Sequence, residues 1–173
     1  VVLWTRLAPA AEPGAREQVG WELATDEGFR NVVRRGTEIV DADVAHSVHV
    51  QASGLEPSRW YWYRFTAGGQ PSATGRTRTA PAPGREEALA FAIASCQRYD
   101  DGHYAAWRHL ADEAPDLVVF LGDYIYESAP RKDRVRTHSG SGAAKTLDDY
   151  RARYAQYKSD ADLRHIHASA PWI

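Results

Sequence analysis

The sequence predicts a β-sandwich followed by the start of an α/β domain, and three observations carry the prediction. Up to about residue 80, short apolar segments alternate with turn dipeptides roughly every 10–15 residues. Residues 80–88 (Ala-Pro-Ala-Pro-Gly-Arg-Glu-Glu-Ala) are stiff and polar, as a linker between domains is. Beyond them the periodicity changes to unbroken apolar runs alternating with helical patterns, the sign of a buried parallel sheet. The predicted division is a β-sandwich over 1–80, a linker over 81–88 and the N-terminal part of a second domain over 89–173.

In the first part, strands are predicted at 1–7, 19–25, 32–39, 46–52, 60–66 and 73–79. Val44, His46, Val48, Val50 and Ala52 share one face, with Ser47, His49 and Gln51 on the other, a period of two that marks a half-buried strand. Turns fall at Pro13-Gly14, Ser53-Gly54, Pro57-Ser58 and Gly68-Gly69. Leu55-Glu56-Pro57 followed by Tyr61 resembles the corner signature of fibronectin type III domains, in which the tyrosine hydroxyl bonds back to upstream backbone. The aromatic run Trp60 to Tyr63 reads as core and sheet surface rather than as a ligand platform.

In the second part, strands are predicted at 89–94 and 117–121. Tyr104, Trp107, Leu110, Ala111 and Ala114 recur between them at helical spacing and stop before Pro115. A second helix starts at Thr146 as N-cap with Asp149 at the N3 place, and its apolar stripe is Leu147, Tyr150, Tyr154 and Tyr157. A short helix is predicted over 160–169, and Pro171-Trp172-Ile173 begins a third strand.

Composition narrows the function. A hydrophobic content of 43% supports a packed core and excludes disorder. Net charge is −2 and does not concentrate: residues 1–84 hold 9 basic and 9 acidic side chains, residues 85–173 hold 12 and 14. That balance leaves no footprint for nucleic acid or an anionic membrane. No apolar run reaches the roughly 20 residues a transmembrane helix needs. The single cysteine, Cys96, excludes an internal disulfide framework. The absence of methionine leads to the expectation that the chain is part of a longer polypeptide.

In open α/β sheets, ligands bind beyond the carboxyl ends of the strands. Here those ends carry Ser95-Cys96-Gln97 and Gly122-Asp123-Tyr124-Ile125-Tyr126-Glu127. A thiolate from Cys96, a carboxylate from Asp123 and a phenolate from Tyr126 form a hard, anionic donor set suited to trivalent iron. On the residues alone, a bland reading also stands: a small buried cysteine and a Gly-Asp turn. Asp100, Asp101 and His103 form a second polar cluster, read as a turn feeding a helix rather than a metal site. Arg136 and His138 lie in a polar loop, as candidate phosphate contacts or, more simply, as solvated side chains. His165 and His167, two apart, do not share a helix face.

The segment 91–97, the helix around 104–110 and Leu117-Val118-Val119-Phe120-Leu121-Gly122-Asp123-Tyr124-Ile125-Tyr126-Glu127 closely resemble the alkaline phosphatase D family of metallophosphoesterases, within the calcineurin-like superfamily. Val1-Val2-Leu3-Trp4-Thr5-Arg6-Leu7-Ala8-Pro9, His46-Ser47-Val48-His49-Val50, Trp60-Tyr61-Trp62-Tyr63-Arg64-Phe65, 146–158 and 171–173 are similar to it too. The resemblance implies a fibronectin type III-like β-sandwich followed by the start of an α/β metallophosphoesterase domain. It implies Cys96, Asp123 and Tyr126 as ligands of iron (Fe3+), with Asp123 bridging to calcium (Ca2+). It implies a phosphodiesterase or phosphomonoesterase in which a metal-bound hydroxide attacks phosphorus in line, with no protein nucleophile. Further ligands, an Asp-Asp-His-Glu segment among them, are expected beyond Ile173, so residues 1–173 alone are expected to be inactive and to bind metal poorly. A monomer, a phosphate-ester substrate and a secreted or periplasmic location behind an upstream export signal complete the expectation. The competing reading is a non-catalytic β-sandwich binding or adhesion module with an incomplete α/β unit. A nucleotide-binding domain is disfavoured, because no Gly-x-Gly-x-x-Gly or Walker loop follows either strand.

Overall fold

The computed structural model describes residues 1–7 and 16–173; the Pro13-Gly14 turn lies outside them. The chain forms two compact units, Val1–Ala88 and Leu89–Ile173.

The first unit is built from two antiparallel sheets. Strand β1 (Val2–Arg6) pairs with β4 (Ser47–Gln51), Leu3 opposite Val50 and Thr5 opposite Val48. The second sheet has the order β3 (Val32–Val40), β2 (Glu17–Ala24), β5 (Trp60–Ala67), β6 (Gln70–Pro71), and β7 (Gly75–Arg78) also pairs with β5. Alternation places Leu3, Val48 and Val50 of the smaller sheet and Val19, Leu23, Tyr61 and Phe65 of the larger in one buried cluster. Each such side chain contributes roughly 1.5–3 kcal/mol on burial. The face predicted from Val44 starts later than expected. Ala45 and His46 both hold φ of +54° in a turn, so the strand begins at Ser47 and Val44 is exposed. The hydroxyl of Tyr61 accepts from the Glu56 N–H at 2.9 Å, the upstream backbone bond that the Leu-x-Pro spacing anticipates. Of the neighbouring aromatics, Tyr63 packs against this cluster, and Trp60 lies at the sheet surface with Arg76 4.3 Å over its ring.

In the second unit β8 (Phe91–Ala94) and β9 (Leu117–Phe120) are parallel, joined through a 3₁₀ turn (Tyr99–Asp101) and α1 (Ala105–Asp112). The chain end lies parallel to β9, with Val118 N–H donating to Pro171 and Ile173 N–H donating to Val118. Helices α2 (Leu147–Lys158) and α3 (Ala161–Ser169) complete the unit. Tyr104, Trp107, Val118, Tyr157, Leu163, Ile166 and Ala170 form its core.

Two expectations change here. The apolar run at 89–94 is not covered on both sides: Phe91 and Ile93 are exposed, and only the Ala92 and Ala94 side turns inward. In α2 the capping box of Thr146 and Asp149 is present, but of the predicted stripe only Tyr157 is buried. Leu147, Tyr150 and Tyr154 are exposed, while Arg153 and Tyr157 are buried. The helix is rotated so that Arg153 donates to the carbonyls of Tyr126 and Ser128. Charge-assisted hydrogen bonds to these carbonyls offset the lost burial of the tyrosines. No helix among the described residues is long and apolar enough to cross a membrane.

Candidate metal centre

The parallel pairing of β8 and β9 puts their C-terminal tips side by side, and the backbone joins them directly. Cys96 N–H donates to the Gly122 carbonyl at 3.1 Å and Leu121 N–H to that of Ala94 at 2.8 Å. Both tips then bend through conformations that L-residues avoid. Cys96 holds φ of +59° and Asp123 φ of +56°, with Gly122 at +140° between strand and bend. Such strain persists where the surroundings impose it, and it concentrates at functional sites.

The bends bring three side chains to one atom. The Cys96 thiol lies 3.6 Å from Asp123 Oδ2, and the Tyr126 hydroxyl donates to the same oxygen at 3.1 Å. Cys96 and Asp123 are exposed, so the cluster opens to solvent. Partial burial, and then the hydrogen bonds to Cys96 and Asp123, push the Tyr126 phenol up to about 12. With no cation present the phenol keeps its proton, because a second anion beside Asp123 is unfavourable. A multivalent cation would reverse that preference and draw together a thiolate, a carboxylate and a phenolate. Two hard anionic oxygens and one softer sulfur therefore fit a multivalent transition-metal ion. No group of three or more His, Cys, Asp or Glu side chains with metal-site geometry occurs among the described residues.

The surroundings are polar and pinned. Gln97 is buried: its Nε2 donates to the Tyr124 carbonyl at 3.0 Å, its Oε1 accepts from Trp107 at 3.1 Å and its carbonyl accepts from Tyr104 at 2.7 Å. Arg98 lies 4.8 Å over the Tyr126 ring and pairs with Asp100 at 2.8 Å. Asp100 is fully buried and also receives Arg131 at 3.0 Å. Burial would raise its carboxyl, but the hydrogen bonds from Arg131 and Arg98 hold it below the ordinary carboxylate range. Asp101 is bridged by Arg131 and Arg134, and His103 is exposed. The second acidic cluster is thus an arginine-locked turn.

Arg136 and His138 are not solvated loop residues. Arg136 pairs with Asp160 at 2.6 Å, donates to the Tyr99 carbonyl and lies 3.7 Å over the Tyr99 ring. His138 is buried, with Nε2 3.0 Å from the Tyr157 hydroxyl. Burial first, and then the charge of Arg153, lower its pKa. Neither side chain is directed at the three donors by any contact in the structure. Gln97 was within sequence reach as the neighbour of Cys96. Tyr157 is read from the sequence only as part of an apolar stripe, Arg153 is not singled out, and their four-residue spacing on a helix is the signal that pairs them.

Comparison with known proteins follows this geometry. Residues 1–81 match the PhoD-like phosphatase N-terminal domain, and residues 91–173 match the PhoD-like phosphatase domain. The chain belongs to the PhoD-like phosphatase family. It is 50% identical over its whole length to alkaline phosphatase D of Bacillus subtilis (strain 168), of which it spans 31%. It superposes on the solved structure of PhoD with a TM-score of 0.94 at 50% identity, covering 99% of this chain and 35% of that one. The chain thus spans about a third of the PhoD-like proteins it matches. Cys96, Asp123 and Tyr126 all fall within the segment that matches the phosphatase domain.

Proposed function

We propose that this chain is the N-terminal portion of a metal-dependent phosphoesterase of the alkaline phosphatase D type, acting on phosphodiesters or phosphomonoesters. The observation that carries the reading is the convergence of Cys96 and Tyr126 on a single oxygen of Asp123, at the tips of two adjacent parallel strands. Cys96, Asp123 and Tyr126 would hold an iron ion, and the Asp123 carboxylate would also serve a calcium ion. Bound there, the ions would polarise phosphate oxygens and make water a stronger nucleophile at neutral pH. The chain's own residues do the rest. Asp123 keeps its carboxylate between the other two donors, and on binding the Tyr126 phenol and the Cys96 thiol would each release a proton to solvent. No protein nucleophile is required.

In this reading the other ligands lie outside residues 1–173, and those residues alone hold metal weakly and turn over poorly. The protein acts as a monomer outside the cell or in the periplasm, and its β-sandwich is fibronectin type III-like, supported by the Tyr61 to Glu56 bond.

The test is replacement of Cys96 by Ser in the natural gene product, followed by metal analysis and phosphodiesterase assay. Iron content and rate should fall together. A variant that keeps wild-type iron and rate would remove Cys96 from the ligand set.

A further inference from the structure

Helix α2 grips the backbone of Tyr126 at both of its polar groups. Arg153 Nη1 donates to the Tyr126 carbonyl and, at 3.2 Å, to that of Ser128. One helical turn on, the Tyr157 hydroxyl accepts the Tyr126 N–H at 3.3 Å and the Tyr99 N–H at 3.1 Å. Arg153 and Tyr157 are both buried, and their spacing places them on one helix face.

The two amides come from different strand tips. Tyr99 stands three residues after Cys96, and Tyr126 three residues after Asp123. A phenol oxygen that accepts two N–H bonds directs its own proton elsewhere, and here His138 Nε2 lies 3.0 Å away to take it. A core tyrosine needs only one partner to satisfy its hydroxyl. This one ties together the two loops that carry the metal donors.

We propose that Tyr157, assisted by Arg153, is a positioning residue of the metal centre: it fixes the backbone of Tyr126 and so sets where the phenol oxygen meets Asp123. The proposal rests on the phosphoesterase reading above. It goes beyond that reading by giving α2 a role in ligand geometry rather than in packing alone.

The experiment uses the natural gene product and three variants: Tyr157→Phe, Tyr126→Phe as the reference, and the exposed Tyr150→Phe as the control on the same helix. Amide exchange over residues 123–128 is followed in the metal-free protein. The phenolate-to-iron absorption per bound iron is then recorded after loading, together with kcat and KM. Tyr157→Phe should speed exchange in that segment and shift or weaken the absorption. It should lower kcat roughly tenfold to a hundredfold, the usual cost of losing a group that orients a metal ligand, with KM within about twofold. Tyr150→Phe should match the wild type in all readouts. Wild-type exchange, absorption and kcat in Tyr157→Phe would overturn the proposal, as would a lowered melting temperature with no change in those readouts. An absorption retained in Tyr126→Phe would instead refute the iron–phenolate reading, while the metal-free exchange still judged the clamp. Should Tyr157→Phe fail to fold, Arg153→Lys decides by the same measurements, since a lysine cannot hold both carbonyls in the guanidinium geometry. Wild-type behaviour there would overturn the proposal.

Discussion

The Cys96 thiol lies 3.6 Å from Asp123 Oδ2, and both residues hold left-handed backbone at the ends of neighbouring parallel strands. Both side chains are exposed, so burial does not account for either relationship. Asp123 is the common partner, receiving Cys96 and Tyr126 on one oxygen. Asp123→Asn removes the charge that balances a cation, yet asparagine tolerates left-handed backbone and still accepts from Tyr126. Iron affinity of the natural gene product should fall at least roughly tenfold, the lower end of the cost seen for groups one shell further out. The metal-free melting temperature should stay within a few degrees of wild type. A titration followed by iron analysis checks this, and retained affinity would exclude Asp123 as a ligand.

The β-unit offers a cleaner test of a single hydrogen bond. Tyr61 is buried and its hydroxyl accepts from the Glu56 N–H at 2.9 Å. In Tyr61→Phe the ring remains and the amide loses its acceptor, which costs about 1–3 kcal/mol if water cannot replace it. Denaturant unfolding should show a lower midpoint with an unchanged slope. A midpoint equal to wild type would show that the Glu56 amide finds water instead.

What could be read from the sequence, and what could not, follows from the range of the forces involved. Tyr61, the capping box of Thr146 and Asp149, and the Asp123–Tyr126 pair are each set by spacing of a few residues, so their signals are local, whereas Cys96 reaches Asp123 across 27 residues through strand pairing. The buried side of α2 is not local either. Leu147, Tyr150 and Tyr154 look like a core stripe, but which face turns inward depends on carbonyls of Tyr126 and Ser128 more than twenty residues away. The same holds for Asp100, whose partners Arg131 and His138 arrive from a distant loop. Arg136 and His138 looked solvated because loop composition says nothing about which tyrosines will stack on them. Exposure of Phe91 and Ile93 was equally hidden, since an apolar run does not report whether anything covers its outer face.

Two cross-strand glycines are covered by aromatic rings. Gly36 lies opposite Trp21, and a Cβ there would meet the indole at 2.7 Å; at Gly75 it would meet the Tyr63 ring at 2.3 Å. Ring and glycine backbone therefore pack face to face, an arrangement known to rescue glycine in sheets. Gly75→Ala should force Tyr63 aside and cost about 1–3 kcal/mol, the usual penalty for overpacking. The double variant Gly75→Ala with Tyr63→Ala should recover part of that loss. Thermal unfolding of the wild type, Gly75→Ala, Tyr63→Ala and the double variant measures the coupling, and additive losses would mean that the ring does not rest on the glycine.

The arginine-locked turn beside the centre predicts a larger effect. Asp100 has no exposed surface and receives Arg98 and Arg131. Asp100→Asn leaves two guanidinium groups facing a neutral amide, and breaking a buried pair from one side costs about 3–5 kcal/mol. Arg98 would lose its anchor over the Tyr126 ring at the same time. Stability measured in the metal-free protein should therefore drop by an amount comparable to a large core truncation. A loss below about 1 kcal/mol would show that the network is solvated enough to reorganise.

His167 makes acid stability testable. Its ring stacks on Trp172 with centroids 4.0 Å apart, and its Nε2 lies 2.7 Å from the Tyr124 hydroxyl. Burial, and then the nearby Lys158, lower its pKa to about 3 in the fold, from an ordinary value of 6.5. A depressed folded-state pKa means that the unfolded chain takes up the proton first as pH falls. The stability that the neutral imidazole supports is present above pH 6.5 and is lost progressively from there down toward pH 3. Between pH 6.5 and 5 the loss is about 2 kcal/mol, taking about 1.4 kcal/mol per unit of pH. His167→Gln keeps a polar group near the Tyr124 hydroxyl but cannot titrate. Its unfolding free energy should be flatter across that window than that of the wild type, even if lower at pH 7. Parallel pH profiles for the two proteins would mean that His167 gains its proton without resistance from the fold.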